Sequence, residues 1–268
     1  MEKHLIFMDI DGTLVDREQN ISQKTRTVIT ELQTEGHQFY VATGRKYSSA
    51  LQVAQRLTLQ TQVVASNGSI YSVNETLHKK QLSKEALALV YETVTACQLP
   101  MFFFGEHTVF YTEQLPEYLQ RNDQSRIANG EEDFLFVDSL DTLMSVSTRI
   151  VNGIVIADER ESELDAIREI LLKSNLLSVS SSHPNNIELI PKGVNKATAI
   201  QQIQKSLAVP QKRIISFGDG LNDLEMLQAS GVSVAMGNAV DQLKSQAKYV
   251  TGTNTEDGIA NFLINYFN

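Results

Sequence analysis

The sequence predicts an α/β protein: a mostly parallel sheet with helices on both faces, interrupted by an inserted α/β module. Three observations carry this. Short apolar runs alternate with amphipathic helical stretches at both ends of the chain, the pattern of a parallel sheet covered on both sides. The middle of the chain has a different texture, aromatic and strand-like with turn residues between the runs. The residues with chemical potential follow the apolar runs of the two ends and are absent from the middle.

Taken in order, "LIFMD" at residues 5–9 is a first strand. "SQKTRTVITELQTEG" is a helix with Ser22 as its N-cap and Gly36 just past its end. "QFYVA" is a second strand, followed by "TGR" and a short helix. "QVVAS" is a third strand, with Asn67–Gly68 as a turn. "SIYSV" and "TLHKKQL" form a hairpin around Asn74–Glu75. Ser83 opens a helix that runs to Cys97, and "PMFFFGEHTVFYT" is strand-like with a turn at Gly105–Glu106. The stretch from Gln114 to Asp138 is polar and yields no assignment. "RIVNGIVIA" is a strand, "ERESELDAIREILLKS" an amphipathic helix and "LLSVSSS" a strand. Alternation then returns: "NIELIP" strand, "NKATAIQQIQKSLAV" helix ending before Pro210, "RIISFGD" strand, "LNDLEMLQAS" helix, "GVSVAM" strand, "AVDQLKSQA" short helix, a "YV" remnant, and "TEDGIANFLINYF" as the closing helix. The expected organisation is a core from residues 1–81 and 187–268, with the inserted module at 82–186.

Composition narrows the function. The chain has 268 residues, enough for one large domain or two smaller ones. A net charge of −9 argues against a general binder of nucleic acid or anionic membranes, because phosphate backbones attract basic surfaces. It leaves room for a small anionic substrate held by a few local cations. The single cysteine, Cys97, cannot close an internal disulfide and lies in an apolar helical pattern, so it reads as a structural thiol. No apolar stretch is long enough to span a bilayer and no secretory leader is recognisable, so the expected location is the cytoplasm.

The first strand ends in two carboxylates, Asp9 and Asp11. Period-two geometry points both toward the same side. At ~5 Å and an effective dielectric of ~20, their repulsion is of order 3 kcal/mol. A positive partner must compensate, or the strand tip must be open to water. Ligands of open parallel sheets bind beyond the carboxyl ends of the strands. There the sequence delivers Asp9 and Asp11 after the first strand, Thr43, Gly44 and Arg45 after the second, and Ser66 and Asn67 after the third. Lys196 begins a later helix, and Asp219, Asn222 and Asp223 follow "RIISFG".

This set has a coherent chemistry. Carboxylates at a strand edge suit Mg²⁺, which prefers oxygen ligands shared with a substrate phosphate. A lysine supplies a point charge for phosphate oxygens. A hydroxyl and backbone amides at a helix start, as at Thr43–Gly44, hold anions. Asp9 can act as a nucleophile, and Asp11 as acid toward the leaving oxygen and then base toward water. Each piece alone is an ordinary turn, cap or surface residue. The combination and its order carry the signal. Arg45, Lys192 and the five histidines receive no catalytic role.

"DIDGTL", "ATGR", "GVNK" and "GDGLNDLEM" resemble the four ordered motifs of the haloacid dehalogenase-like superfamily. The form of the last motif and the long insertion between the second and third resemble the Cof-type phosphatase branch. The resemblance implies a Rossmann-like core with an α/β cap and Mg²⁺-dependent hydrolysis of small phosphorylated metabolites, by a monomer or weak homodimer. It implies Asp9 as nucleophile and metal ligand, and Asp11 as acid/base that binds metal through its carbonyl oxygen. Asp219 would complete the metal set. Thr43, Gly44, Lys196, Asn222 and the Ile10 amide would hold phosphate, and Asp223 would orient Lys196 or a metal-bound water. Ser66–Gly68 matches a segment common in this branch and is assigned to structure. Two other readings share the residues: a phosphomutase or phosphotransferase, and a phosphorylated receiver-like signalling protein. Chain length, the insertion and a dedicated acid/base at Asp11 count against the receiver.

Overall fold

The computed structural model describes residues 2–74, 76–113, 133–157, 160–181 and 183–268. Its strands in chain order are β1 (Leu5–Met8), β2 (Gln38–Ala42), β3 (Gln62–Ala65), β4 (Ile70–Val73), β5 (Thr76–Lys79), β6 (Met101–Phe104), β7 (Thr108–Tyr111), β8 (Asp133–Phe136), β9 (Asn152–Ile156), β10 (Leu177–Ser180), β11 (Asn186–Pro191), β12 (Ile214–Gly218), β13 (Val232–Ala235) and β14 (Tyr249–Val250). The helices are α1 (Gln23–Thr34), α2 (Tyr47–Leu57), α3 (Lys84–Ala96), α4 (Leu140–Val146), α5 (Glu161–Ser174), α6 (Lys196–Leu207), α7 (Leu224–Ala229), α8 (Asp241–Gln246) and α9 (Gly258–Phe267). The chain divides into two compact units. One comprises Met1–Arg45, Ser49–His78 and Asn195–Asn268; the other comprises Lys46–Ser48 and Lys79–Val194.

The first unit is built on an eight-stranded sheet of order β14-β13-β12-β1-β2-β3-β4-β5. From β14 through β3 the pairings are parallel, and β4 returns antiparallel to β3. All four residues of β1 and all five of β12 are buried. Two-sided burial is why these strands read as continuous apolar runs rather than as alternating ones. Their ends are level: Met8 pairs with both Val41 and Phe217, Phe217 with Val234, and Ala42 with Val64. Residues 9, 43, 66 and 219 therefore leave the sheet at one carboxyl edge. The helices start where the sequence offers caps. The Ser22 hydroxyl accepts from the Thr25 amide. Asn195 and Thr198 cap α6 reciprocally, each side chain accepting from the other's backbone amide.

The second unit holds a six-stranded sheet of order β10-β11-β9-β6-β7-β8. Its pairings are antiparallel except between β7 and β8. The helices α3, α4 and α5 contribute Leu87, Val90, Leu143, Leu164, Ile167 and Leu171 to its core, together with Phe103, Phe110 and Val155 from the sheet.

Several elements depart from expectation. The run "NIELIP", assigned to the core by alternation, is β11, which pairs antiparallel with β9 and β10. Residues 187–194 thus belong to the second unit. Five of the six residues of β11 are buried, so it lacks the period-two signature that separates an antiparallel strand from a parallel core strand. Residues 79–81 lie with the second unit as well, and so does Lys46–Ser48. Within the unassigned stretch, residues 133–136 form the strand β8, whereas 114–132 lie outside the described residues. Helix α4, capped by Ser139, occupies a segment for which no element was expected. "LND" forms a 3₁₀ turn at Leu221–Asp223 before α7 begins.

Candidate active site

Asp9 continues β1 by one residue, its amide donating to the Phe217 carbonyl at 3.1 Å. That bond fixes the carboxylate at the strand tip, where it is buried. Lys196 is the first residue of α6, and the Asn195 cap fixes where that helix starts. The lysine is 1% exposed. Its Nζ lies 2.6 Å from Asp9 Oδ1 and 2.6 Å from Asp223 Oδ1. The other oxygen of Asp223 accepts from the amides of Asp219 at 3.0 Å and Gly220 at 3.2 Å. Asp219 follows β12, and its Oδ1 accepts from the Thr13 hydroxyl at 2.8 Å. Behind it stands Gly12, with φ +79°, where an added Cβ would come within 2.3 Å of the Asp219 carboxylate. Only glycine takes this backbone without cost and leaves Asp219 in place.

The electrostatics follow from burial. Three carboxylates, Asp9, Asp219 and Asp223, offer oxygens within 4.8 Å of one another, against one ammonium. Desolvation pushes the Asp9 carboxyl up, and the neighbouring Asp223 and Asp219 charges add to it, while Lys196 opposes both. Burial would lower the lysine, but the charges of Asp223 and Asp9 outweigh it and hold it protonated. Asp219 is pushed up to about 6, chiefly by burial. The cluster is short of positive charge and presents only oxygens, so it could hold a hard divalent cation. Asp223 has both oxygens engaged, which leaves Asp9 and Asp219 as the side chains with lone pairs to spare.

Asp11 is elsewhere than expected. The strand stops at Met8, and the Ile10 carbonyl accepts from the amides of Thr13, Leu14 and Val15 at 3.4, 3.0 and 3.1 Å. The chain therefore turns, and period-two alternation does not reach Asp11. Its side chain is 55% exposed and pairs with Arg45, whose Nε lies 2.7 Å from Asp11 Oδ2 and whose Nη2 contacts Oδ1. Burial pushes the Asp11 carboxyl up, but the hydrogen bonds and charge of Arg45, with Gln19 and Lys196, hold it below its ordinary value. The compensating cation at Asp11 is thus Arg45, while Lys196 serves Asp9 and Asp223.

The remaining residues sit on the same edge. Thr43 is buried, and its hydroxyl accepts from the Arg45 amide at 3.1 Å. Gly44 lies against Asn67, whose side-chain oxygen would stand 3.2 Å from an added Cβ. Ser66, Asn67 and Gly68 are all left-handed, with φ of 51°, 53° and 96°. An added Cβ at Gly68 would meet the Asn195 carbonyl at 2.3 Å. The segment is therefore wedged between the Thr43 loop and the cap of α6. Asn222 is exposed in its 3₁₀ turn. Sequence reasoning placed Arg45 at this edge without a role, and it missed Gln19, Thr13 and Asn238, whose side-chain amide donates to the Gly12 carbonyl at 2.8 Å. Thr13 and Arg45 lie inside quoted motifs, so they were within reach; Gln19 and Asn238 carry no local signature.

Comparison with known proteins places this geometry in context. A family model described as haloacid dehalogenase-like hydrolase matches residues 6–263. A 5-amino-6-(5-phospho-D-ribitylamino)uracil phosphatase of Bacillus subtilis is 32% identical, with 98% of this chain and 97% of that protein covered. A phosphatase of the same description from Escherichia coli is 27% identical over 97% of this chain and 94% of its own length. Among solved structures, a haloacid dehalogenase-like hydrolase from Bacteroides thetaiotaomicron superposes with a TM-score of 0.85 at 24% identity, covering 99% of this chain and 100% of the other.

Proposed function

This chain belongs to the haloacid dehalogenase-like hydrolases and is a phosphatase, and we propose that it hydrolyses small phosphorylated metabolites through a phosphorylated Asp9, with Mg²⁺ as cofactor. The observation that carries this reading is the buried Asp9–Lys196–Asp223 triad with Asp219 beside it, at the carboxyl edge of a parallel sheet.

The residues divide the work as follows. An Asp9 oxygen attacks the phosphorus, the bond to the leaving oxygen breaks, and Asp11 gives that oxygen a proton. Water then attacks the phosphorus of the aspartyl phosphate, Asp11 takes the water's proton, and the bond to Asp9 breaks to restore the carboxylate. Lys196 offsets charge on the phosphoryl oxygens as well as on Asp9, and Asp223 fixes the ammonium. The Thr43 hydroxyl, the Gly44 and Ile10 amides and Asn222 hold the other phosphoryl oxygens. Asp9, Asp219 and the Asp11 carbonyl would hold the cation, which when bound neutralises phosphoryl charge and the surplus of carboxylates. Arg45 favours the ionised Asp11, the state required of a base, and opposes a proton there, so the acid step requires the guanidinium to withdraw.

For the substrate, the two relatives named above support a phosphorylated ribityl chain carrying a heterocycle, or a similar sugar-like phosphate. Among the described residues no helix is long and apolar enough to cross a membrane. The test is a turnover screen over phosphorylated sugars, polyols and nucleotides, with and without exhaustive chelation. Turnover that collapses on chelation and returns best with Mg²⁺ is expected; full activity in the chelated protein would contradict the reading.

A further inference from the structure

Gln19 occupies a position that its own turn does not explain. The chain from Asp16 to Asn20 folds back on itself. The Asp16 amide donates to the Asn20 carbonyl at 3.1 Å, and the Gln19 amide to the Asp16 carbonyl at 3.1 Å. The Asn20 amide donates to the Asp16 carboxylate at 2.7 Å. Gln19 sits at the tip with φ +65°, left-handed backbone that favours glycine, asparagine or aspartate. The Arg56 guanidinium donates to its carbonyl at 3.2 Å and holds it there.

The side chain shows what the glutamine is for. Its Oε1 accepts from Arg45 Nη2 at 2.5 Å, and its Nε2 donates to Asp11 Oδ1 at 3.3 Å. One amide thus matches a cation with its acceptor end and an anion with its donor end. The reverse placement would set its NH₂ against a guanidinium that has only donors. Asparagine at the same place would suit the turn better and would be one methylene too short for this reach.

We propose that Gln19 is a positioning residue that aims the Asp11 carboxylate, keeping its direction when Arg45 withdraws. A half-exposed carboxylate whose one strong partner must leave is otherwise free to rotate. The neutral amide stays bonded to Asp11 without opposing a proton on it. This inference rests on the reading of Asp11 as the proton donor to the leaving group.

The test compares kcat/KM for p-nitrophenyl phosphate, whose leaving group needs no proton, with that for ribitol 5-phosphate, whose alkoxide does. Wild type, Asp11→Asn, Gln19→Gly and Gln19→Asn are measured with Mg²⁺ present. Both Gln19 variants keep or ease the left-handed turn, so they should unfold no lower than wild type. In both, the alkyl substrate should lose about tenfold and the aryl substrate less than about twofold, because misaiming a general acid forfeits part of its ~10²–10⁴-fold contribution. Asp11→Asn should raise the aryl-to-alkyl ratio further. A merely structural role for Gln19 would move the two substrates together. An unchanged ratio in the Gln19 variants, with Asp11→Asn raising it, overturns the inference and leaves the function standing. An unchanged ratio in Asp11→Asn overturns the reading of Asp11 and the role of Gln19 with it.

Discussion

Two cation–carboxylate groups stand at the candidate site in the first unit, and they differ in almost every physical respect. Lys196 is sealed between Asp9 and Asp223, with side chains 1%, 8% and 1% exposed. Arg45 meets Asp11 in the open, with side chains 24% and 55% exposed. In the first group, separating the charges would strand one of them in a dry interior, so its geometry is fixed. In the second, water can replace either partner at little cost. The difference matches the work asked of each. In the proposed mechanism a nucleophile at Asp9 and the ammonium beside it would need one geometry throughout, whereas Asp11, giving and then taking a proton, would need a partner that can let go.

Three perturbations sharpen the contrast, beginning with the largest. Lys196→Met removes the only ammonium from a group of three carboxylates. Breaking one partner of a buried pair costs about 3–5 kcal/mol, so urea unfolding of the metal-free variant should shift by that much. A change under about 1 kcal/mol would mean that the cluster is not held by its lysine.

Next, the two groups should respond to pH with opposite signs in the metal-free protein. Asp219 is raised from 3.8 to about 6. Between those values the folded state binds the proton more tightly than the unfolded chain, so stability should fall as pH rises through that window. Asp11 is lowered from 3.8, so its contribution is present above 3.8 and is lost as pH falls below it. Asp219→Asn should flatten the stability profile between pH 4 and 6. A profile unchanged by that substitution would remove Asp219 from the charged cluster.

The smallest effect is expected at Arg45. Arg45→Ala should alter stability by less than about 1 kcal/mol, as for other exposed pairs, measured by the same unfolding curves. A loss as large as that of Lys196→Met would erase the distinction between the two groups.

Much of this architecture is legible in the sequence because burial leaves a mark there. β1, β2 and β12 are apolar on both faces, and the residues just past them face the sheet edge whatever the rest of the chain does. Lys196 follows a capping asparagine, which fixes the start of its helix. Other features have no such mark. β11 looks like a parallel core strand because it is equally buried. The partnership of Asp11 with Arg45 depends on a turn that begins one residue earlier than strand alternation assumes. Gln19 reaches both from a left-handed turn written in residues that form many other turns. The buried chemistry is therefore readable as pattern, and the exposed chemistry only as geometry.

In the mechanism we propose, Asp9 carries the phosphoryl group and Asp11 governs its arrival and departure. Rapid-quench kinetics of Asp11→Asn with p-nitrophenyl phosphate and Mg²⁺ tests it most directly. The aryl leaving group departs without a proton, but hydrolysis of the aspartyl phosphate has lost its base, a step worth ~10²–10⁴ in rate. One equivalent of p-nitrophenolate per active site should therefore appear in a burst, with the phosphoryl group trapped on Asp9. Steady release with no burst and no phosphorylated Asp9 would contradict the account.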